Sequence, residues 1–423
     1  MKQLTYHFIK KKILIFNVAV MATAFSPFIG DGGINNFLIG FMIFSIYITL
    51  GNFIKLYKKD WAIYLLPFTL LISGILHISS FRPSSYLYGL LFILFFIENL
   101  HLIRYSQITI YQYQNLIKIL IYSYFFVLIT QQVMYLVGIE NFFNKIFATG
   151  FKFNALATEP SYAATILVFL FYSYIKNMEL IRKETHITDI YKKEKILWFV
   201  FIYQMLTFGS SFGILYIFIL ILAFIKKPIY LIGIILISIL SISIAIKIDF
   251  IPLLRIFSVL DAINFSSDGF SDLVAADHSA SIRIIPFIYF IKTLDFYTLF
   301  GKGTDFSAIF FPTIIPGIND ATMGGGLLPS FIIDNGIINF LLLIIVIFTN
   351  GIKKFFSFTV LALIITLLNT SFNSQLFWLI ITLLTLNKHF AITLPAIDNV
   401  FYLQTVCSES SSTYYWKSLR NNH

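Results

Sequence analysis

An all-α polytopic membrane protein, with about twelve transmembrane helices and one large outer loop, is the fold class this sequence predicts. Three observations carry the prediction. Hydrophobic residues make up 58% of the 423 and charged residues only 12%, where a soluble domain carries about a quarter charged. The apolar residues fall in repeated stretches of membrane-spanning character. Lys and Arg gather in alternate connections between those stretches.

Taken in order, the predicted spans are 13–29, 34–54, 61–79, 86–103, 115–138, 158–175, 196–208, 213–225, 229–246, 328–350, 355–369 and 373–387. Lys10, Lys11 and Lys12 precede the first. Ala22 and Ala24 fall inside it, so a retained anchor fits better than a cleavable signal peptide. Several spans are shorter than the roughly 20 residues needed to cross a bilayer straight, which predicts dipping or broken helices. Residues 247–327 form the long connection, and the polar segment from Asn387 reads as a loosely ordered end. That divides the chain into nine spans over 1–246, the loop over 247–327, three spans over 328–387 and a tail over 388–423.

The basic residues set the orientation. Of the 30 Lys and Arg, 22 fall before span one, after the even-numbered spans or in the tail. The positive-inside rule places both termini in the cytoplasm and the long loop outside. This arrangement requires a reversal at Gly209-Ser210-Ser211-Phe212-Gly213. A continuous helix over 196–225 would instead send Lys226, Lys227, Lys353 and Lys354 outside. The net charge of +10 is accounted for by this topology, and no compact basic domain offers a nucleic-acid surface. Cys407 is the single cysteine, which excludes an intrachain disulfide and a Cys/His zinc cluster.

Function is read from the polar residues. Asp334, in Asp334-Asn335-Gly336, reads as the one Asp, Glu, Lys or Arg well inside a predicted span. Ion-coupled transporters hold more such residues, because each costs about 2.5–3.5 kcal/mol to insert. Asp334 is a candidate helix break facing a substrate cavity, or a packing contact between helices. Ala157-Thr158-Glu159-Pro160-Ser161-Tyr162-Ala163 opens span six. Pro160 suits a first helical turn, and Glu159 lies at the positive end of the helix dipole. Glu159 is either a helix-entry residue or a carboxylate able to deprotonate or orient a hydroxyl. In the loop, Arg255 and Arg283 lie in apolar flanks, while the loop as a whole carries eight Asp against five Lys and Arg. Their planar guanidinium forks suit phosphate oxygens, and snorkelling to lipid headgroups is the alternative. His278 is a second candidate base or a solvated side chain. Arg82 is a third candidate phosphate ligand. Gly301-Lys302-Gly303 and Gly324-Gly325-Gly326 read as turns, and Ile284–Phe300 as an amphipathic helix on the membrane surface.

These residues and this profile resemble the Wzy-type O-antigen and capsule repeat-unit polymerases, within the O-antigen ligase and polymerase superfamily. The likeness covers the whole hydropathy profile. Its local matches are Thr158-Glu159-Pro160-Ser161, Ser210-Ser211-Phe212-Gly213, Arg255, Ser281-Ile282-Arg283 and Leu299-Phe300-Gly301-Lys302-Gly303. The Ser-Ser-Phe-Gly turn lacks the Arg that some members carry there. The resemblance implies a GT-C-like glycosyltransferase of the bacterial inner membrane, acting at its periplasmic face without cofactor or catalytic metal. Its partners would be an undecaprenyl-pyrophosphate-linked glycan donor and acceptor, membrane lipids and a chain-length regulator protein. Glu159 and His278 would act on the acceptor, and Arg82, Arg255, Arg283 and Asp334 would bind substrate. An O-antigen ligase is the neighbouring alternative. A flippase of lipid-linked sugar is the alternative from another class, disfavoured because a flippase concentrates cations in a central cavity.

Overall fold

The structure is a computed structural model, described for residues 2–23, 35–50, 57–79, 81–140, 153–182, 191–223, 247, 251–263, 270–292, 299–315, 326–353 and 357–394. Among these residues every regular element is helical. In chain order they are α1 (Lys2–Met21), α2 (Asn36–Thr49), α3 (Trp61–Leu76), α4 (Pro83–Tyr105), α5 (Ile110–Val137), α6 (Pro160–Arg182), α7 (Lys195–Phe208), α8 (Ser211–Ala223), α9 (Ile251–Ala262), α10 (Phe270–Ala276), α11 (His278–Lys292), α12 (Phe306–Ile314), α13 (Leu327–Asn350) and α14 (Phe358–Asn369). A last helix, α15, covers Gln375–Leu394. Six helices are long and apolar enough to cross a membrane: Lys58–Leu76, α4, α5, α6, α13 and α15. The predicted span over 229–246 lies outside the described residues.

Side-chain pairs give the directions of the packed helices. Asn17 of α1 reaches Asn99 of α4, and Lys10 reaches His101, so these two run antiparallel. In α2, Phe41 meets Phe95 and Ser45 meets Glu98, so α2 runs parallel to α4. The reversal predicted at Gly209 is present. Gly209 takes a left-handed conformation at φ 56° and ends α7. Phe171 of α6 stacks on Phe201 and meets Trp198 of α7 edge-on. After the turn, Gly213 approaches Ala164 and Tyr216 packs on Phe169. Contacts with α6 thus run antiparallel along α7 and parallel along α8, which makes the pair a hairpin.

Two ends of the bundle follow. At the basic end, Arg104 grips Asp60 through two nitrogens at 2.5 and 2.8 Å and lies on the Tyr57 ring. Lys118 pairs there with Glu194 at 3.0 Å. Lys388 donates to the carbonyls of Phe348, Thr349 and Ile352. These are groups a helix C-terminus leaves unpaired, and a cation suits them. Lys388 therefore belongs to a helix that continues to Leu394, and the reading of Asn387 as the start of a loose tail is corrected.

The most enclosed helices are α6 and α15. Trp378 of α15 is 1% exposed. It stacks on Phe92 of α4, meets Phe96 and Phe372, and donates its indole N–H to the Phe372 carbonyl at 2.8 Å. Gln375 reaches carbonyls at the end of α1, and Phe390 stacks on Tyr113 of α5. Without a strong hydrophobic drive between helices in lipid, close side-chain packing of this kind carries the association.

The long connection folds into a head of short helices at the opposite end. Val259, Leu273, Ile285, Phe311 and Ile315 form a small core together with Ile333 of α13. Asp277 caps α11, accepting from the Ala280 N–H at 2.8 Å. Of the segment Ile284–Phe300 predicted as one helix along the membrane, residues 284–292 belong to α11, which starts at His278, ends at Lys292 and packs on α10 and α13; residues 293–298 lie outside the described residues.

Candidate functional site

The head end collects most of the residues the sequence singled out. The lead-in to α6 is fixed first. Gln131 of α5 accepts from the N–H groups of Asn154 and Ala155 at 3.2 and 2.9 Å and donates to the Asn154 side chain at 2.7 Å. The Asn154 amide in turn holds the carbonyls of Ala157 and Thr158. Gln131 and Asn154 are fully buried. The backbone is thereby delivered to Glu159, whose carbonyl accepts from Ala163 at 3.0 Å and starts the helix. Pro160 occupies its first position. The Glu159 carboxylate, partly exposed, accepts from Ser161 at 3.2 Å.

Tyr162, one turn into α6, marks the meeting point. It lies within electrostatic range of both Glu159 and Arg283 and within hydrogen-bonding reach of Ser374. Tyr216 of α8 also feels the Arg283 charge and pairs with Thr366 of α14 at 3.1 Å. Arg283, partly buried on α11, therefore lies within electrostatic range of the head ends of α6 and α8. The Ser210–Gly213 turn packs at the same level. A Cβ added at Gly213 would lie 3.1 Å from the Ala164 Cβ, so the turn is held tight against α6.

Arg82 belongs to a second group nearby. Its guanidinium lies 3.9 Å from Asp305, with about half of the side chain exposed. Such a pair contributes about 0–1 kcal/mol and yields readily to a better anion. Ser85 also donates to Asp305. The turn between α14 and α15 joins the groups. Asn373 donates to the Ser85 carbonyl at 3.4 Å, and its neighbour Ser374 faces Tyr162.

Asp334 has a different setting from the one expected of a substrate ligand. Both its carboxylate oxygens are taken by Ser307, through the backbone N–H at 2.7 Å and the hydroxyl at 2.9 Å. It caps α12 from across the chain. Gly336 then breaks α13 with φ 88° and ψ 164°. Against this break lies Gly301-Lys302-Gly303: Lys302 N–H donates to the Ile333 carbonyl at 2.7 Å and Gly303 N–H to the Asp334 carbonyl at 3.0 Å. Gly301 and Gly336 each press on the other segment's backbone so closely that a Cβ on either would come within 2.3 Å of a carbonyl oxygen. The Gly301–Gly303 turn and the Asp334–Gly336 helix break are the halves of one interlock. It anchors the head on the bundle.

Arg255 occupies a helical position on α9, which packs on α8, and His278 opens α11; their side chains lie outside the described set. Gly324 and Gly325 lie outside the described residues. Tyr162 thus lies within electrostatic range of both Glu159 and Arg283, and Arg82 is tied through Asp305 and Ser85 to the 371–374 turn. Tyr162, Ser374, Asn154 and Gln131 were missed by the sequence reading. Tyr162 lies inside the Glu-Pro-Ser motif and could have been found there; the others are long-range partners with no local signal.

A carboxylate, a phenol and a guanidinium sharing a half-buried surface can orient a hydroxyl, accept its proton and stabilise a departing phosphate. Among the described residues no cluster of His, Cys, Asp or Glu is suited to a metal. No protein-family model, curated protein or solved structure matches this chain.

Proposed function

We propose that this chain is a glycosyltransferase of the bacterial inner membrane that polymerises undecaprenyl-pyrophosphate-linked oligosaccharide repeat units. The observation that carries the reading is Tyr162, within electrostatic range of both Glu159 and Arg283, at the end of the bundle opposite the Lys-rich one. With the basic end cytoplasmic, that site faces the periplasm and both termini face the cytoplasm.

In the proposed reaction, Arg283 and Arg82 bind the donor's pyrophosphate. The bond between the anomeric carbon and the phosphate oxygen breaks, and undecaprenyl pyrophosphate leaves with its charge held by the guanidinium groups. A hydroxyl of the acceptor's terminal sugar forms the new glycosidic bond, and its proton passes to Glu159. Tyr162 and Ser374 orient the acceptor. Asp334 serves by fixing the head through Ser307.

Deleting the gene in its host and resolving the surface glycan on a gel tests the reading. Collapse of the polymer ladder to single repeat units, restored by complementation, is the expected result. Loss of ligated glycan with polymer retained on undecaprenyl pyrophosphate would indicate a ligase instead. Repeat units trapped on the cytoplasmic face would indicate a flippase, and an unchanged ladder would overturn the assignment to that glycan.

A further inference from the structure

Glu98 lies inside α4, and the sequence reading passed over it in naming Asp334 the one ionisable residue deep in a span. It is 0% exposed, closed in by α1 and α2. A carboxylate anion in such a place needs a cationic partner. Among the described residues Glu98 takes part in no ion pair. Lys10 and His101 instead face each other at 3.5 Å, about one turn further toward the basic end.

The contacts around Glu98 can be counted in protons. Its Oε1 lies 2.6 Å from the Ser45 hydroxyl oxygen, which lies 2.9 Å from Asn17 Oδ1. Asn17 Nδ2 donates to Asn99 Oδ1 at 2.9 Å. Ser45 has a single hydroxyl proton and faces two oxygens. If it donates to Glu98, its contact with Asn17 is oxygen against oxygen with nothing between. Turning the Asn17 amide over moves the conflict to Asn99 Oδ1, and turning both amides over sets Asn17 Oδ1 against Glu98 Oε1, where its Nδ2 now donates at 3.5 Å. A neutral carboxyl removes it. Glu98 donates to Ser45, Ser45 to Asn17 and Asn17 to Asn99, one proton per contact, and the second Asn17 amide proton reaches back to Glu98 Oε1 at 3.5 Å. Glu98 Oε2 has no partner and is fully buried, a situation a carbonyl oxygen bears at far lower cost than an anionic one.

We propose that Glu98 is an intramembrane proton-binding site, holding its proton in the resting protein and donating it along Ser45, Asn17 and Asn99. The site is remote from the Glu159–Arg283 surface, and the inference stands independently of the transferase reading.

Infrared spectroscopy of the purified protein at neutral pH tests it. The wild type is expected to show a carboxylic-acid carbonyl band that is lost in Glu98→Gln, with no loss of carboxylate absorption. Loss of a carboxylate band, with the acid region unchanged, would overturn the proposal. Should Glu98→Gln fail to fold, Ser45→Ala gives a second reading. Removing the hydroxyl is expected to shift the acid band to higher frequency, and an acid region identical to wild type would refute the site.

Discussion

Replacing Gly336 with Ala should dislodge the head from the bundle. The residue sits at φ 88° and ψ 164°, a region essentially reserved for glycine, and holding another residue there costs about 1–3 kcal/mol. Space adds to strain. The new Cβ would lie 2.3 Å from the Leu299 carbonyl oxygen and 2.6 Å from the Phe300 carbonyl carbon. Both are backbone atoms, so no rotamer change relieves the clash and Leu299–Gly303 must move away. That movement breaks the hydrogen bonds from Lys302 to Ile333 and from Gly303 to Asp334, each contributing about 0.5–1.5 kcal/mol. The combined loss is about 4 kcal/mol, or roughly a thousand-fold in the docking equilibrium. Gly40→Ala is the control. It lies within α2 where an added Cβ meets nothing within 4 Å, and the better helix former should gain up to about 1 kcal/mol. Thermal denaturation in detergent, followed by size-exclusion chromatography, reads both. Gly336→Ala should lower the transition markedly, and Gly40→Ala should leave it unchanged or raised. A Gly336→Ala protein as stable as wild type would refute the interlock.

Three further outcomes are expected. Arg104→Ala leaves the Asp60 carboxylate, itself fully buried, without its bidentate partner, and should cost about 3 kcal/mol; Arg104→Lys should recover only part of the melting temperature, because one ammonium replaces neither the fork nor the Tyr57 contact. Trp378→Ala empties the space between α4 and α15 and should lower stability by about 3–5 kcal/mol in the same denaturation assay. Asn154→Ala frees the α6 lead-in from Gln131, so it should reduce polymer formation several-fold in membranes containing normal amounts of the protein.

Much of the topology was legible because it is written locally. Pro160 marks the start of α6, Gly209 supplies the left-handed turn, and clustered Lys and Arg separate the two ends. The misses share one physical cause: they depend on partners distant in sequence. Glu98 in isolation is a lone charge toward the end of an apolar stretch; only the approach of Asn17 and Ser45 makes it a fully enclosed group. Lys388 suggests a polar tail until the carbonyls ending α13 are set beside it. Asp334 reads as a ligand, a helix break or a packing contact, and Ser307, which takes both its oxygens, is 27 positions away and carries no local signal. The Gly301 motif looks like a turn and the Gly336 motif like a helix break, and neither shows its partner, since local sequence does not record which backbone must approach another. Within the candidate site, Glu159 and Arg283 stand out in the sequence as chemical groups, while Tyr162, within electrostatic range of both, does not.

The most direct test is reconstitution of the purified protein in liposomes with an undecaprenyl-pyrophosphate-linked repeat unit from its host. Chain growth and released undecaprenyl pyrophosphate would be measured for wild type, Arg283→Ala and Glu159→Gln. Wild type should form polymer and release one lipid pyrophosphate per bond made, while both variants, folded and inserted, lose at least a hundred-fold in rate. Variants that polymerise at the wild-type rate, or a wild type that forms no glycosidic bond from authentic substrate, would contradict the account.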